Sequence, residues 1–334
     1  MRCPVCHGSF FQSDIPTNIV QREIGFREQF IHSRLNRKAS LAELKDLTDF
    51  MHGFAAPIER CISCGLLIRA EYRVRTAKSC REDANDRGIM AQLLPRYVQA
   101  FRNKEPGFRG LLRPHAEILE LGSHLGAFLQ VAEEWDWRAT GLDVGSDTAG
   151  FARSKGLTVR REMIEDASIP PRTYDAVFVW NCFEQIPDPA RTLKAIRSVL
   201  RPHGLLVIRV PNAGFYRKRK GQTVNALAWN NLLGFPYLYG YTGDLVTRLA
   251  GRWGFEYVSG FNSELVTMPF PDLSTALAAE QKTASEVVAA RSVASSARTH
   301  QLAGPWIEMV YRMVKEPVGA WRSCVDRHFL PRAA

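Results

Sequence analysis

The chain has no run near the roughly 20 apolar residues that a membrane-spanning helix requires, so it is not read as a spanning protein. A secretory leader is missing too, because Cys3 follows almost at once with no apolar stretch behind it. Cysteine is scarce and odd in number, seven residues in 334, which argues against a disulfide framework. These absences make a reducing, cytoplasmic setting the expectation. Acidic residues are the minority sign, 34 against 44 lysines and arginines, for a net charge of +10. The positive groups are nevertheless scattered. The densest run, Arg217-Lys218-Arg219-Lys220, is short; it reads first as a solvated loop and second as a contact for an acidic, phosphorylated or nucleotide-linked molecule. A contiguous basic face interleaved with aromatics is missing, so nucleic acid is not an expected partner. No segment repeats another.

What is present suffices for one large core and a smaller module, since 46% of the residues are hydrophobic. Residues 1–80 contain two CxxC pairs, Cys3 with Cys6 and Cys61 with Cys64. Four thiolates at that spacing suit a tetrahedral structural zinc, and they leave no open position for catalysis. The insert between the pairs, 15–57, is expected to be helical: Phe26, Phe30, Leu35, Leu41, Leu44, Leu47 and Phe50 recur at helical spacing, and Ser40 with Glu43 forms a capping box. Residues 81–115 read as a helical bridge. From 116 to 270 strands and helices alternate, with strands expected at 117–121, 138–143, 157–160, 174–180 and 204–210. Two final strands, 256–261 and 264–268, are expected to pair. Such alternation implies an α/β domain with a parallel sheet covered on both faces. Residues 271–334 read as a helical tail.

The chemistry is carried by the loops that leave the strands. Glu120-Leu121-Gly122-Ser123-His124-Leu125-Gly126 joins a strand to a helix through glycines, a junction at which α/β sheets hold nucleotides or nucleosides. The GxGxxG spacing that seats a dinucleotide pyrophosphate is absent. Asp143 ends the second strand about 20 residues on, the place for a carboxylate that accepts from ribose hydroxyls. Met163-Ile164-Glu165-Asp166 follows the third strand, Asn181 to Pro189 the fourth, and Pro211-Asn212 the fifth. Taken in order, these elements resemble the cofactor half of a class I S-adenosylmethionine methyltransferase with a zinc ribbon in front. His124 departs from that family, which usually has a further glycine there.

The resemblance implies a Rossmann-like seven-stranded sheet and S-adenosylmethionine as cofactor. It places Glu120, Gly122, Ser123, His124, Gly126, Asp143, Met163, Ile164 and Asn181 around that cofactor, with Met163 and Ile164 against the adenine. A sulfonium methyl is already activated, so the protein mainly aligns it with a nucleophile. A base is required only for a hydroxyl, a protonated amine or an acidic carbon. Glu184 and His124 are the candidates, with Tyr239 and Tyr241 in the region before the helix expected from Thr242, whereas His115 and His203 enter their strands at the opposite edge. The expected acceptor is a small or saccharide-linked molecule; the alternatives are RNA, or a scaffold that keeps the fold without the reaction. Trp306, Ile307, Met309, Val310, Met313 and Val314, interspersed with Arg312 and Lys315, read as an amphipathic helix. Such a helix packs on a core or on a second copy, or lies on a membrane surface.

Overall fold

The computed structural model describes residues 2–15, 58–69, 87–217, 238–263, 302–304 and 306–314. The insert expected to be helical, Cys80, Cys324, residues 218–220 of the basic run, the expected strand at 264–268 and the tail beyond residue 314 lie outside the described residues.

Strands β1 (Phe11–Ile15), β2 (Ile58–Cys61) and β3 (Leu67–Arg69) form an antiparallel sheet at the N-terminus. Helix α1 (Arg87–Arg102) and the short α2 (Glu105–Phe108) follow. Then come β4 (Glu117–Leu121), α3 (Ala127–Glu134), β5 (Arg138–Leu142), α4 (Ser146–Ser154) and β6 (Val159–Arg160). The second half holds β7 (Tyr174–Trp180), α5 (Pro189–Val199), β8 (Leu200–Pro211), α6 (Ala213–Arg217), β9 (Tyr239–Gly240), α7 (Gly243–Arg252), β10 (Phe255–Ser263) and β11 (Trp306–Met313). The main sheet has the order β10-β11-β8-β7-β4-β5-β6. Its strands from β8 to β6 are parallel neighbours, while β11 runs antiparallel to both β8 and β10.

Burial explains which strands are central. In β7 every residue but Asp175 is buried, and β8 is buried from Gly204 to its end, the pattern of strands covered on both faces. On one face Leu119, Val177, Val179, Leu206 and Ile208 pack against Leu193 and Ile196 of α5 and Leu245 and Leu249 of α7. On the other, Ile118, Phe178 and Val207 meet Met90 and Leu94 of α1 and Phe128 of α3. Helix α5 starts where its sequence says it should: Asp188 accepts from the Arg191 amide at 3.0 Å, and Pro189 occupies the first turn.

One expectation is corrected. Residues 306–313 form a strand, not the start of a helical tail, and β10 pairs with it along 255–263. The misreading has a physical cause. Every residue of β11 but Arg312 is buried, so both faces are apolar and the run fits a period of 3.6 as readily as a period of 2. Trp306, Ile307, Met309 and Val310 are buried in the sheet, which leaves them no part in a membrane-surface helix. The sheet of the N-terminal module takes its fourth strand, β9, from residues 239–240. Among the described residues no helix is long and apolar enough to cross a membrane.

Met309 is fully buried in β11. Met309→Ala is expected to destabilise the whole domain by about 2–5 kcal/mol in urea unfolding. A change within about 0.5 kcal/mol would show that this strand is not part of the cooperative core.

Candidate active site

All the loops singled out in the sequence leave the carboxyl ends of β4 to β8, the edge at which open α/β sheets bind ligands. The first carries three left-handed residues, Gly122 (φ 70°), His124 (φ 48°) and Gly126 (φ 76°). A Cβ on Gly122 would stand 2.9 Å from the Cys182 sulfur, and one on Gly126 would stand 2.3 Å from the Leu157 side chain. Gly126 therefore lets the loop sit against α4 and the start of the third strand. His124 adopts the glycine-like conformation without being glycine, at a cost of about 1–2 kcal/mol. Its amide donates to Asp143 Oδ2 at 2.6 Å, and its ring stands edge-on to Tyr97 of α1.

Asp143 Oδ1 accepts from the Gly145 amide and the Thr148 hydroxyl, both at 2.8 Å. Three of the roughly four lone-pair sites of its carboxylate are thus filled from two loops, and the group ties the glycine loop to the exit of β5 before any ribose is considered. Glu120 lies beneath, 2% exposed, with Oε2 lacking a partner among the described residues. Burial, and then the charge of Asp143, hold its carboxyl well above the usual range. Ser123 Oγ and Glu165 Oε2 are likewise buried without partners. The Cys182 thiol is pushed up by burial and then by the charges of Glu184, Glu120, Asp143 and Glu165. Buried acids and unfilled acceptors gathered at these strand exits fit a ligand bearing a sulfonium, an ammonium and a ribose, which is what S-adenosylmethionine offers.

The remaining expected residues divide. Met163 is half-buried in the loop after β6, while Ile164 is buried in the core beside Leu121 and Leu142, so only Met163 is open to an adenine ring. Glu165 accepts from Thr192 of α5, and Asp166 pairs with Arg191 on the surface at 3.3 Å. Asn181 is left-handed at φ 55°; its Oδ1 accepts from Arg209, and its carbonyl accepts from Gln185 at 2.8 Å. His115 and His203 are exposed at the opposite edge, as expected.

Glu184 sits in a single turn, Phe183–Gln185, and is fully buried. Neither carboxylate oxygen has a partner among the described residues. Burial pushes its carboxyl up to about 8, against smaller opposing pulls, first from its own backbone amide and then from Arg209. Tyr241 is buried alongside with an unpartnered hydroxyl; burial first, then Tyr239 and Glu184, hold that hydroxyl well above its ordinary range.

Three features escaped sequence reasoning. Cys182 packs on Gly122 and donates to the Leu121 carbonyl at 3.2 Å. Arg209 and Glu308 face each other on β8 and β11, with Arg209 Nε 3.2 Å from Glu308 and 3.1 Å from Ser263. Lys104 closes on the same carboxylate, and Arg209 lies 4.3 Å over the Trp306 ring. The available signal was a charge inside each of two apolar runs, Leu-Val-Ile-Arg-Val and Trp-Ile-Glu-Met-Val.

The second cluster joins the two CxxC pairs. Cys3 and Cys64 sulfurs lie 3.5 Å apart, Cys6 and Cys61 3.4 Å apart, and all four within 4.8 Å of one another. Each knuckle closes through a backbone bond, His7 N to Cys3 O and Gly65 N to Cys61 O, both at 2.8 Å. The hydrogen bond from Cys64 draws the Cys3 thiol down to about 5. Four converging sulfurs, one readily a thiolate, fit a tetrahedral metal. His7 is exposed and faces Arg252, away from this set.

A family model described as a methyltransferase domain matches residues 85–259. A ubiquinone biosynthesis O-methyltransferase of Aeromonas salmonicida is 31% identical over 102 residues, covering 28% of this chain and 43% of that one. The C-methyltransferase NovU of Streptomyces niveus is 28% identical over 99 residues, covering 28% of this chain and 24% of that one. The chain thus spans less than half the length of these relatives. In a solved complex of the Haloferax volcanii Trm112 methyltransferase activator with a methyltransferase, the match has a TM-score of 0.50 at 13% identity, over 68% of this chain and 94% of that one. At that identity the likeness speaks for the fold alone.

Asp143→Ala is expected to weaken S-adenosylmethionine binding by about 1.5–3 kcal/mol in calorimetry; unchanged affinity would dismiss the carboxylate from the cofactor site. Glu184 gives a second expectation through pH. Its folded pKa lies above its unfolded one, so the folded state loses stability as pH rises from the ordinary carboxylate range to about 8 and levels off beyond. Glu184→Gln removes that fall, with a gain on the order of a few kcal/mol near pH 9 and little near pH 5, readable in denaturant titrations.

Proposed function

Since the chain belongs to the methyltransferase-domain family and is an S-adenosylmethionine-dependent methyltransferase, we propose that it methylates a small or saccharide-linked acceptor whose proton is taken by Glu184. The observation that carries this reading is the fully buried Glu184, with both carboxylate oxygens unpartnered beside the acid-rich cofactor pocket. A carboxylate below the surface is reached by a slender acceptor group rather than by the flat face of a polymer. The relatives' names speak of O- and C-methyl transfer, reactions in which the acceptor loses a proton.

The cofactor supplies an activated methyl on a sulfonium. Within this chain, Asp143 provides a negative charge that favours such a cation, and the buried Glu120 carboxyl, which burial and Asp143 keep protonated, would ionise as the cation arrives beside it. Arg209 fixes the Asn181 side chain at the exit of β7. With that cofactor bound, Glu184 would take the proton the acceptor loses as it gains the methyl, and S-adenosylhomocysteine would be the other product. His124 is assigned the loop rather than a proton, since its amide is bound to Asp143 and its ring is set against Tyr97. The four cysteines are assigned one structural zinc.

Turnover of S-adenosylmethionine with phenolic and sugar-nucleotide acceptors, followed across pH, tests the assignment. The rate is expected to rise with pH through a limb near 8, where Glu184 loses its proton, and Glu184→Gln should lower turnover by about 10²–10⁴-fold and abolish the limb. An unchanged limb in Glu184→Gln would remove the base. For the metal, protein purified without chelator should hold one zinc per chain, released in Cys61→Ser; a metal-free native protein would remove the zinc.

A further inference from the structure

The cysteine module and the acceptor side of the active site share one wall. The knuckle leads directly into β3, with the Cys61 amide bonded to the Leu66 carbonyl at 2.9 Å and Leu67 opening the strand. Strand β3 then pairs with β9, Leu67 opposite Gly240 and Ile68 opposite Tyr239, and the Arg69 amide donates to Leu238 at 3.1 Å. On its other side the same segment reaches the catalytic turn twice. The Leu238 amide donates to the Glu184 carbonyl at 2.8 Å, and the Tyr239 hydroxyl donates to the Pro187 carbonyl at 2.9 Å. Residues 184–187 are thus gripped at both ends by 238 and 239.

A strand of two residues has almost no stability of its own, since an isolated pair of strands is already marginal. What holds β9 is β3 on one side and the Asn212–Tyr241 bridge on the other. The three residues of β3 are in turn too few to keep their register unaided, and they emerge from a cysteine knuckle. We propose that the metal-held module is a positioning element of methyl transfer: the β3–β9 ladder sets residues 238–241, and these hold Glu184 against the acceptor. The proposal rests on the reading of Glu184 as proton acceptor. It assigns the module a role in the reaction separate from general stability.

Amide hydrogen exchange on the full chain separates the two roles. The protein is compared zinc-loaded, stripped by chelator and reloaded, together with its affinity for S-adenosylmethionine. Stripping should speed exchange by about tenfold or more in peptides covering 183–187 and 238–241, with residues 118–126 and cofactor affinity unchanged, and reloading should restore protection. A second variant leaves the cysteines intact. A Cβ on Gly240 would stand 3.0 Å from the Leu67 Cβ, so Gly240→Val wedges the two strands apart while zinc content stays at one per chain. It should show the same local rise, and the pH limb of turnover near 8 should shift or vanish. Wild-type exchange at 183–187 in zinc-loaded Gly240→Val would overturn the proposal, as would loss of protection throughout the domain on stripping. Failure of the underlying reading looks different: Glu184→Gln would turn over normally while the coupled exchange persisted.

Discussion

The carboxylate of Asp143 is the joint on which the cofactor side of the molecule depends. It takes one donor from the glycine loop and two from the turn that opens α4. Charge-assisted bonds of this kind are about twice as strong as neutral ones, and here they hold His124 in a backbone region that only glycine enters freely. With the loop set, Gly122 receives Cys182 and Gly126 lies against Leu157, so the exits of β4, β5 and β7 close into one pocket. Strain at one residue is thus balanced by an electrostatic clamp from the neighbouring strand.

That pocket is built against stability. Glu120 and Glu184 are buried with unfilled acceptor atoms, an arrangement that costs the folded state free energy unless a ligand or a proton relieves it. Both carboxyls respond by holding their protons more tightly than in water. A cation entering beside Glu120 reverses that preference and regains what desolvation took away, so empty and loaded states differ in protonation as well as in occupancy. The sheet can sustain such a burden because its central strands, β7 and β8, are apolar on both faces over most of their length.

Much of this was legible in the sequence where the cause is local. Strands β4 and β7 begin and end where their apolar runs do, α5 begins at its Asp-Pro cap, and the cysteine pairs meet as their spacing required. What was not legible is long-range. Residues 306–313 show an apolar run whose period is ambiguous until its neighbours are known. Nothing around Tyr239 and Gly240 announces that they pair with Ile68 and Leu67, more than a hundred residues earlier. The sequence shows Glu184 as one acid among others in its loop; only packing reveals that it is fully buried. Likewise Arg209 and Glu308 are isolated charges in apolar strands until register places them opposite each other.

The place of β11 also bears on how the chain is made. On the ribosome β8 and β10 are synthesised well before Trp306; β8 can pair with β7 at once, but its other edge is filled only by β11, and β10 joins the sheet only through that strand. Until that strand arrives, the ladder edge of β8, apolar on both faces, has no partner of its own. An open edge of this kind invites pairing with another nascent chain. Productive folding is therefore a race between late strand insertion and self-association, and slowing translation between Ser263 and Trp306 should lengthen the time during which the protein is vulnerable.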